Sequence, residues 1–84
     1  MSHADDVRNY CINNYISPAR KNGKNVVSIR AGDVHKAMLY KNRMPLVCSS
    51  IGAITFEETA NIKRISVEGP INGANTVYKF EIIR

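Results

Sequence analysis

Apolar residues recur along the first sixteen positions with the period of a helix. Val7, Cys11 and Tyr15 fall at i, i+4 and i+8, with Ile12 and Ile16 beside them, so residues 4–16 are expected to form an amphipathic helix. Asp5 and Asp6 suit its first turn, where the helix dipole favours negative charge, and Ser2 with Asp5 makes a loose capping box. Ser17-Pro18 is expected to end this helix, because the residue before a proline is pushed out of the helical region. Residues 18–25, PARKNGKN, then read as a polar basic loop that turns at Gly23. The β-branched run Val26-Val27-Ser28-Ile29 reads as one strand.

Helical spacing returns after the strand. Gly32-Asp33 opens a second helix with Asp33 as its expected cap; Val34, Ala37 and Met38 share a face, and the helix ends near Leu39 or Tyr40. Lys41-Asn42-Arg43 is a polar break. Pro45 suits the first turn of a third helix, about residues 43–53, where its missing N–H is no loss. Met44, Val47, Cys48 and Ile51 give that helix an apolar stripe at i, i+3, i+4 and i+7. Gly52 interrupts or ends it, and Phe56 to Ala60 allow one or two further helical turns.

The period then changes to two. Ile65 and Val67 alternate with Arg64, Ser66 and Glu68. Beyond the Gly/Pro/Asn-rich stretch 69–75, Tyr78, Phe80 and Ile82 face one way and Val77, Lys79, Glu81 and Ile83 the other. Two such runs around a turn-rich connection predict a β-hairpin. The lone strand at 26–29 must pair with it, since an isolated strand leaves its backbone groups unbonded. The expected fold is α+β, with a three-helix core against a small three-stranded antiparallel sheet. A chain of 84 residues holds it as a single domain, residues 1–84.

Charge adds a direction to this outline. The net charge is +5, and seven of the twelve basic residues lie between Arg20 and Arg43 with Asp33 as the sole acid among them. Such an asymmetry suits an anionic partner. No apolar stretch is long enough for a transmembrane helix, and the acidic N-terminus lacks the features of a signal peptide, so a cytoplasmic protein is expected. In that compartment Cys11 and Cys48 are expected to stay reduced and buried as small hydrophobes.

The order helix, strand, helix, helix, strand, loop, strand resembles the winged helix-turn-helix DNA-binding superfamily over about residues 7–83. Val34 and Met38 match the apolar pair of the first helix of the motif, and Met44, Cys48 and Ile51 match the stripe of the second. The loop from Gly69 to Asn75 resembles the wing. Two positions depart from the pattern: His35 stands where a small residue is usual, and Leu39 where the turn often begins with glycine. The segments AGDVHKAM and NRMPLVCSSIG also resemble small prokaryotic proteins, some of them linked to nuclease systems.

The resemblance implies a double-stranded DNA-binding module, a transcription regulator or a targeting domain, with the third helix in the major groove. On that helix Arg43 is the expected guanine contact, Leu46 the thymine-methyl contact, and Asn42, Ser49 and Ser50 are further base or phosphate contacts. Lys36, Lys41, Arg20, Lys21 and Lys24 are expected on phosphates, and Asn72 and Asn75 on the backbone if the uncharged wing touches DNA. As a DNA binder the module is expected to act as a monomer or as a homodimer through Val77 and Ile83. The alternative is a protein-interaction winged helix without DNA contact, favoured by that uncharged wing and by Leu46. RNA binding lacks the aromatic platform that single strands need. No catalytic role, metal or cofactor is expected. His35 and Cys48 lack an orienting third group, the histidines and cysteines lack metal-ligand spacing, and no glycine loop suits a phosphate or small-molecule substrate.

Overall fold

The structure, a computed structural model, describes residues 3–70 and 73–83. The proposed Ser2 cap and Asn72 contact lie outside these residues. The first helix runs through its proline. α1 (His3–Cys11) continues into a π-helical turn (Ile12–Ile16) and then α2 (Ser17–Lys21), with no break between them. Ser17 keeps helical angles, φ −62° and ψ −44°, and its N–H reaches back five residues to the Ile12 carbonyl. The wider turn gives the Pro18 ring room, and proline has no N–H to satisfy in the first turn of α2. The expected stop at Ser17 and the loop from residue 18 are therefore corrected, and the connection to the sheet shrinks to 22–25.

The π turn also re-sets which residue is buried. Val7 and Cys11 face the core at a spacing of four, and the next fully buried residue is Ile16, five further on. Tyr15, expected on the stripe, is half-buried instead, because the extra residue rotates it off that face. The Asn14 side-chain amide donates to the Tyr10 carbonyl at 2.9 Å within the loosened turn.

After β1 (Val26–Arg30) come α3 (Ala31–Ala37), α4 (Met44–Ile51), α5 (Ile54–Ala60), β2 (Ile62–Glu68) and β3 (Val77–Ile82). The strands form an antiparallel sheet in the order β1-β3-β2, as the pairing argument requires. Pairing of Val27 with Phe80, Ile29 with Tyr78 and Ile62 with Ile82 turns one sheet face onto the helices. Val26, Ser28, Lys79, Glu81 and Lys63 share the other face. The core joins both layers through Val7, Cys11, Ile16, Ile29, Val34, Val47, Ile51, Phe56 and Phe80. Phe56 meets Phe80 edge to face at 5.4 Å. Among the described residues, no helix is long and apolar enough to cross a membrane.

Several positions differ from the periodic reading. α3 starts at Ala31, so Asp33 lies in its first turn as an ion-pair partner of Arg30 at 2.8 Å and is not the cap. Ala37 is exposed, since α3 buries only Ala31 and Val34. The register of β2 shifts between Arg64 and Ser66, leaving Ile65 as a bulge with 52% exposure. Val67 pairs with Tyr78 and so lies on the helix-facing side, although it is 45% exposed. Val77 and Ile83, expected outside, are half-buried.

The start of α3 is tied to the β2–β3 loop. The Ala31 and Gly32 amides donate to the Thr76 and Ala74 carbonyls, each at 2.9 Å. These donors would otherwise lack partners in a helix whose first residue has no side-chain cap. Gly32 permits the approach, because a Cβ there would meet the Ala74 oxygen at 2.5 Å. The buried Thr76 hydroxyl donates to the Pro70 carbonyl and accepts the Gly73 N–H, holding the loop closed.

Candidate nucleic-acid interface

α3 and α4 pack against each other across a six-residue connection, 38–43. Two of its residues are left-handed, Leu39 at φ 59° and Asn42 at φ 55°. Leu39 thus holds a conformation that glycine adopts without steric cost. Asparagine tolerates this region, whereas a leucine carries strain of about 1–2 kcal/mol. Backbone bonds from Leu39 to the Lys36 carbonyl and from Tyr40 to the His35 carbonyl, both 3.1 Å, close the end of α3. His35 supplies the last clasp: its Nε2 accepts the Arg43 amide at 3.1 Å, and its ring meets Tyr40 edge to face. His35 therefore positions the residue that starts α4, a role that helical spacing alone does not reveal.

Around this turn Lys36, Lys41, Asn42 and Arg43 are all exposed. Among the described residues, the side chains of Lys36, Lys41 and Arg43 form no ion pair. On α4, Pro45 and Ser49 face outward and Leu46 is half-buried. Ser50 does not join them. It is 1% exposed, its hydroxyl donates to the Leu46 carbonyl at 2.6 Å, and its carbonyl accepts from Arg8 at 3.3 Å. Its angular position on the helix lies beside Val47 and Ile51, on the side that packs against α1.

The other expected phosphate contacts lie elsewhere. Arg20 donates to the carbonyls of Ile83, Ala60 and Asn61 at 2.7, 2.9 and 3.2 Å, so its guanidinium joins α2 to the ends of α5 and β3. Lys21 and Lys24 are exposed at this Glu81–Ile83 end of the sheet, whereas α3 leaves from the Val77 end. Asn75 is exposed, but its side-chain oxygen accepts from Arg30. That bond adds a side-chain link between the loop and the start of α3.

Beside α4 a cleft of about 310 Å³ opens between the helix and the hairpin. Cys48, Ser49 and Gly52 form its helical wall, and Arg64, Val67, Pro70 and Tyr78 line the hairpin side. The Arg64 guanidinium donates to the Gly52 carbonyl at 3.2 Å, and the Tyr78 hydroxyl donates to the Cys48 carbonyl at 3.2 Å. Burial first, and then Cys48, push the Tyr78 phenol up to about 12 against the opposing pull of Arg64. Both cysteines are free and buried, and burial pushes the Cys11 thiol up to about 12. Among the described residues, no three His, Cys, Asp or Glu side chains gather as a metal site. No family model, curated protein or solved structure matches the chain.

Proposed function

We propose that the chain is a winged helix-turn-helix module that docks on double-stranded DNA, with α4 in the major groove. The observation that carries this reading is the start of α4. There Lys36, Lys41 and Arg43 are exposed, with no ion pair among the described residues, around a helix whose exposed face offers small groups, Pro45 and Ser49. A helix entering the major groove presents its N-terminal residues to base edges, and flanking cations hold the phosphates. The topology supports the same reading: α3 and α4, followed by the short α5, lie between β1 and a hairpin whose last strand pairs with β1. Arg43, Asn42 and Ser49 are then the groove contacts, and Lys36 and Lys41 the phosphate contacts.

The test is double charge reversal, K41E with R43E, followed by fluorescence anisotropy on generic duplex DNA at two salt concentrations. The expected result is loss of binding with an unchanged circular dichroism spectrum and melting temperature. The unaltered protein should lose affinity steeply as salt rises. A second reading, docking on a protein, draws on Leu39 at 86% exposure and Ile54 at 71%, apolar tips before and after α4. Duplex binding that is absent at low salt, or unchanged by the double reversal, would favour that second reading.

A further inference from the structure

Arg64 occupies a position that its sequence neighbours disguise. In a regular strand residues 64 and 67 point to opposite faces. The bulge at Ile65 cancels one step, so Arg64, paired with Phe80, and Val67, paired with Tyr78, share the helix-facing side of the sheet. Both line the cleft beside α4. Tyr78, Val67 and Pro70 give that cleft an apolar lining, and Val67 stays 45% exposed there. At the α4 wall stand the Arg64 guanidinium and the Ser49 hydroxyl, which donates to the Leu46 carbonyl at 3.1 Å. One of the five guanidinium donors is fixed on the Gly52 carbonyl, its single hydrogen bond among the described residues. That bond orients the fork and leaves donors for a further acceptor.

We propose that this cleft seats one sugar-phosphate strand of duplex DNA, with Arg64 as the phosphate ligand. The proposal rests on the DNA-docking reading and adds a contact to it. With α4 in a major groove about 12 Å wide, the two strands pass on either side of the helix. The strand on the hairpin side lies over the wall formed by Cys48, Ser49 and Gly52, which is one wall of the cleft. Guanidinium matches phosphate in charge and in its planar donor pair. The contact also gives the hairpin side of the module a cation that the loop residues Gly73, Ala74 and Asn75 lack. The carboxylate of Glu57 accepts the Arg64 backbone amide at 2.8 Å, and neither Glu57 nor Glu68 is among the residues that line the cleft.

The test compares R64Q with K79Q, which removes a charge from the opposite face of the same sheet. Affinity for generic duplex DNA is measured across a salt series. R64Q should lower the slope of log K against log salt by about 0.9, the share of one phosphate contact, and K79Q should leave it unchanged. R64K should restore the slope, because lysine keeps the charge, while binding stays weaker than with the arginine fork. If R64Q fails to fold, V67E takes its place: a carboxylate at this half-exposed position should repel the strand and weaken binding, while K79E on the far face has a smaller effect. An unchanged slope in R64Q, or equal losses on the two faces, overturns the proposal while leaving the docking of α4 intact. Failure of the unaltered protein to bind duplex overturns both.

Discussion

At its N-terminal end α3 gives the Ala31 and Gly32 amides to the carbonyls of the β2–β3 loop, and Arg30 adds side-chain bonds to Asn75 and Asp33. At its C-terminal end the chain leaves through Leu39 and Asn42, both left-handed, with Lys41, Asn42 and Arg43 exposed. One end satisfies its first two backbone donors and takes a glycine to do so. The other carries strain and bare charge on a turn fastened by a histidine. Residues at the first end are fixed by packing, so their chemistry explains the fold. At the second, Met38 and Tyr40 pack on the core, while the side chains of Lys41 and Arg43 are exposed and form no ion pair among the described residues.

The sharpest way to break this contrast is at Gly32. G32A should lower stability by about 2–3 kcal/mol, because its Cβ meets backbone that can move only with the loop; urea unfolding reads the change. A loss under half a kcal/mol would mean that the tie between loop and helix is loose. R20M should cost about 2 kcal/mol through its orphaned carbonyls, with the salt slope of DNA binding unchanged. A lowered slope would return Arg20 to the phosphate contacts. L39G should raise stability by about 0.5 kcal/mol, the relief of left-handed strain less the extra chain entropy of glycine. A loss instead would show that the Leu39 side chain packs on something in solution. K41E should shift stability by less than about 0.5 kcal/mol, read by thermal unfolding, while weakening duplex binding.

Element types and their order were legible in the sequence because each depends on local periodicity. The stripe Met44, Val47, Cys48, Ile51 and the alternation of Tyr78, Phe80 and Ile82 both face the core, with Met44 at its margin. What escaped were the places where one residue is added to a regular repeat. The π turn moved burial from Tyr15 to Ile16, and the bulge at Ile65 moved Arg64 to the helix-facing side. Neither leaves a compositional mark, since both depend on what the segment packs against. At the candidate site, exposure of Lys36, Lys41, Asn42, Arg43 and Ser49 follows from the apolar stripes of α3 and α4. Ser50 and Arg20 departed because α1 and the ends of α5 and β3, distant in sequence, claim their polar atoms.

The π turn has a consequence for chain length. A spacing of five between Cys11 and Ile16 is one more than a continuous α-helix needs to keep both on one face. The segment thus contains a surplus residue, and exposed Asn13 is the one whose removal disturbs least. A chain lacking it would bring Ile16 and Ala19 back to the same core positions by ordinary helical geometry. Pro18 would then sit inside an unbroken helix, where its ring collides with the preceding turn. The extra residue and the proline therefore form a matched pair: shortening the chain by one is compatible with this core only if the proline is replaced as well.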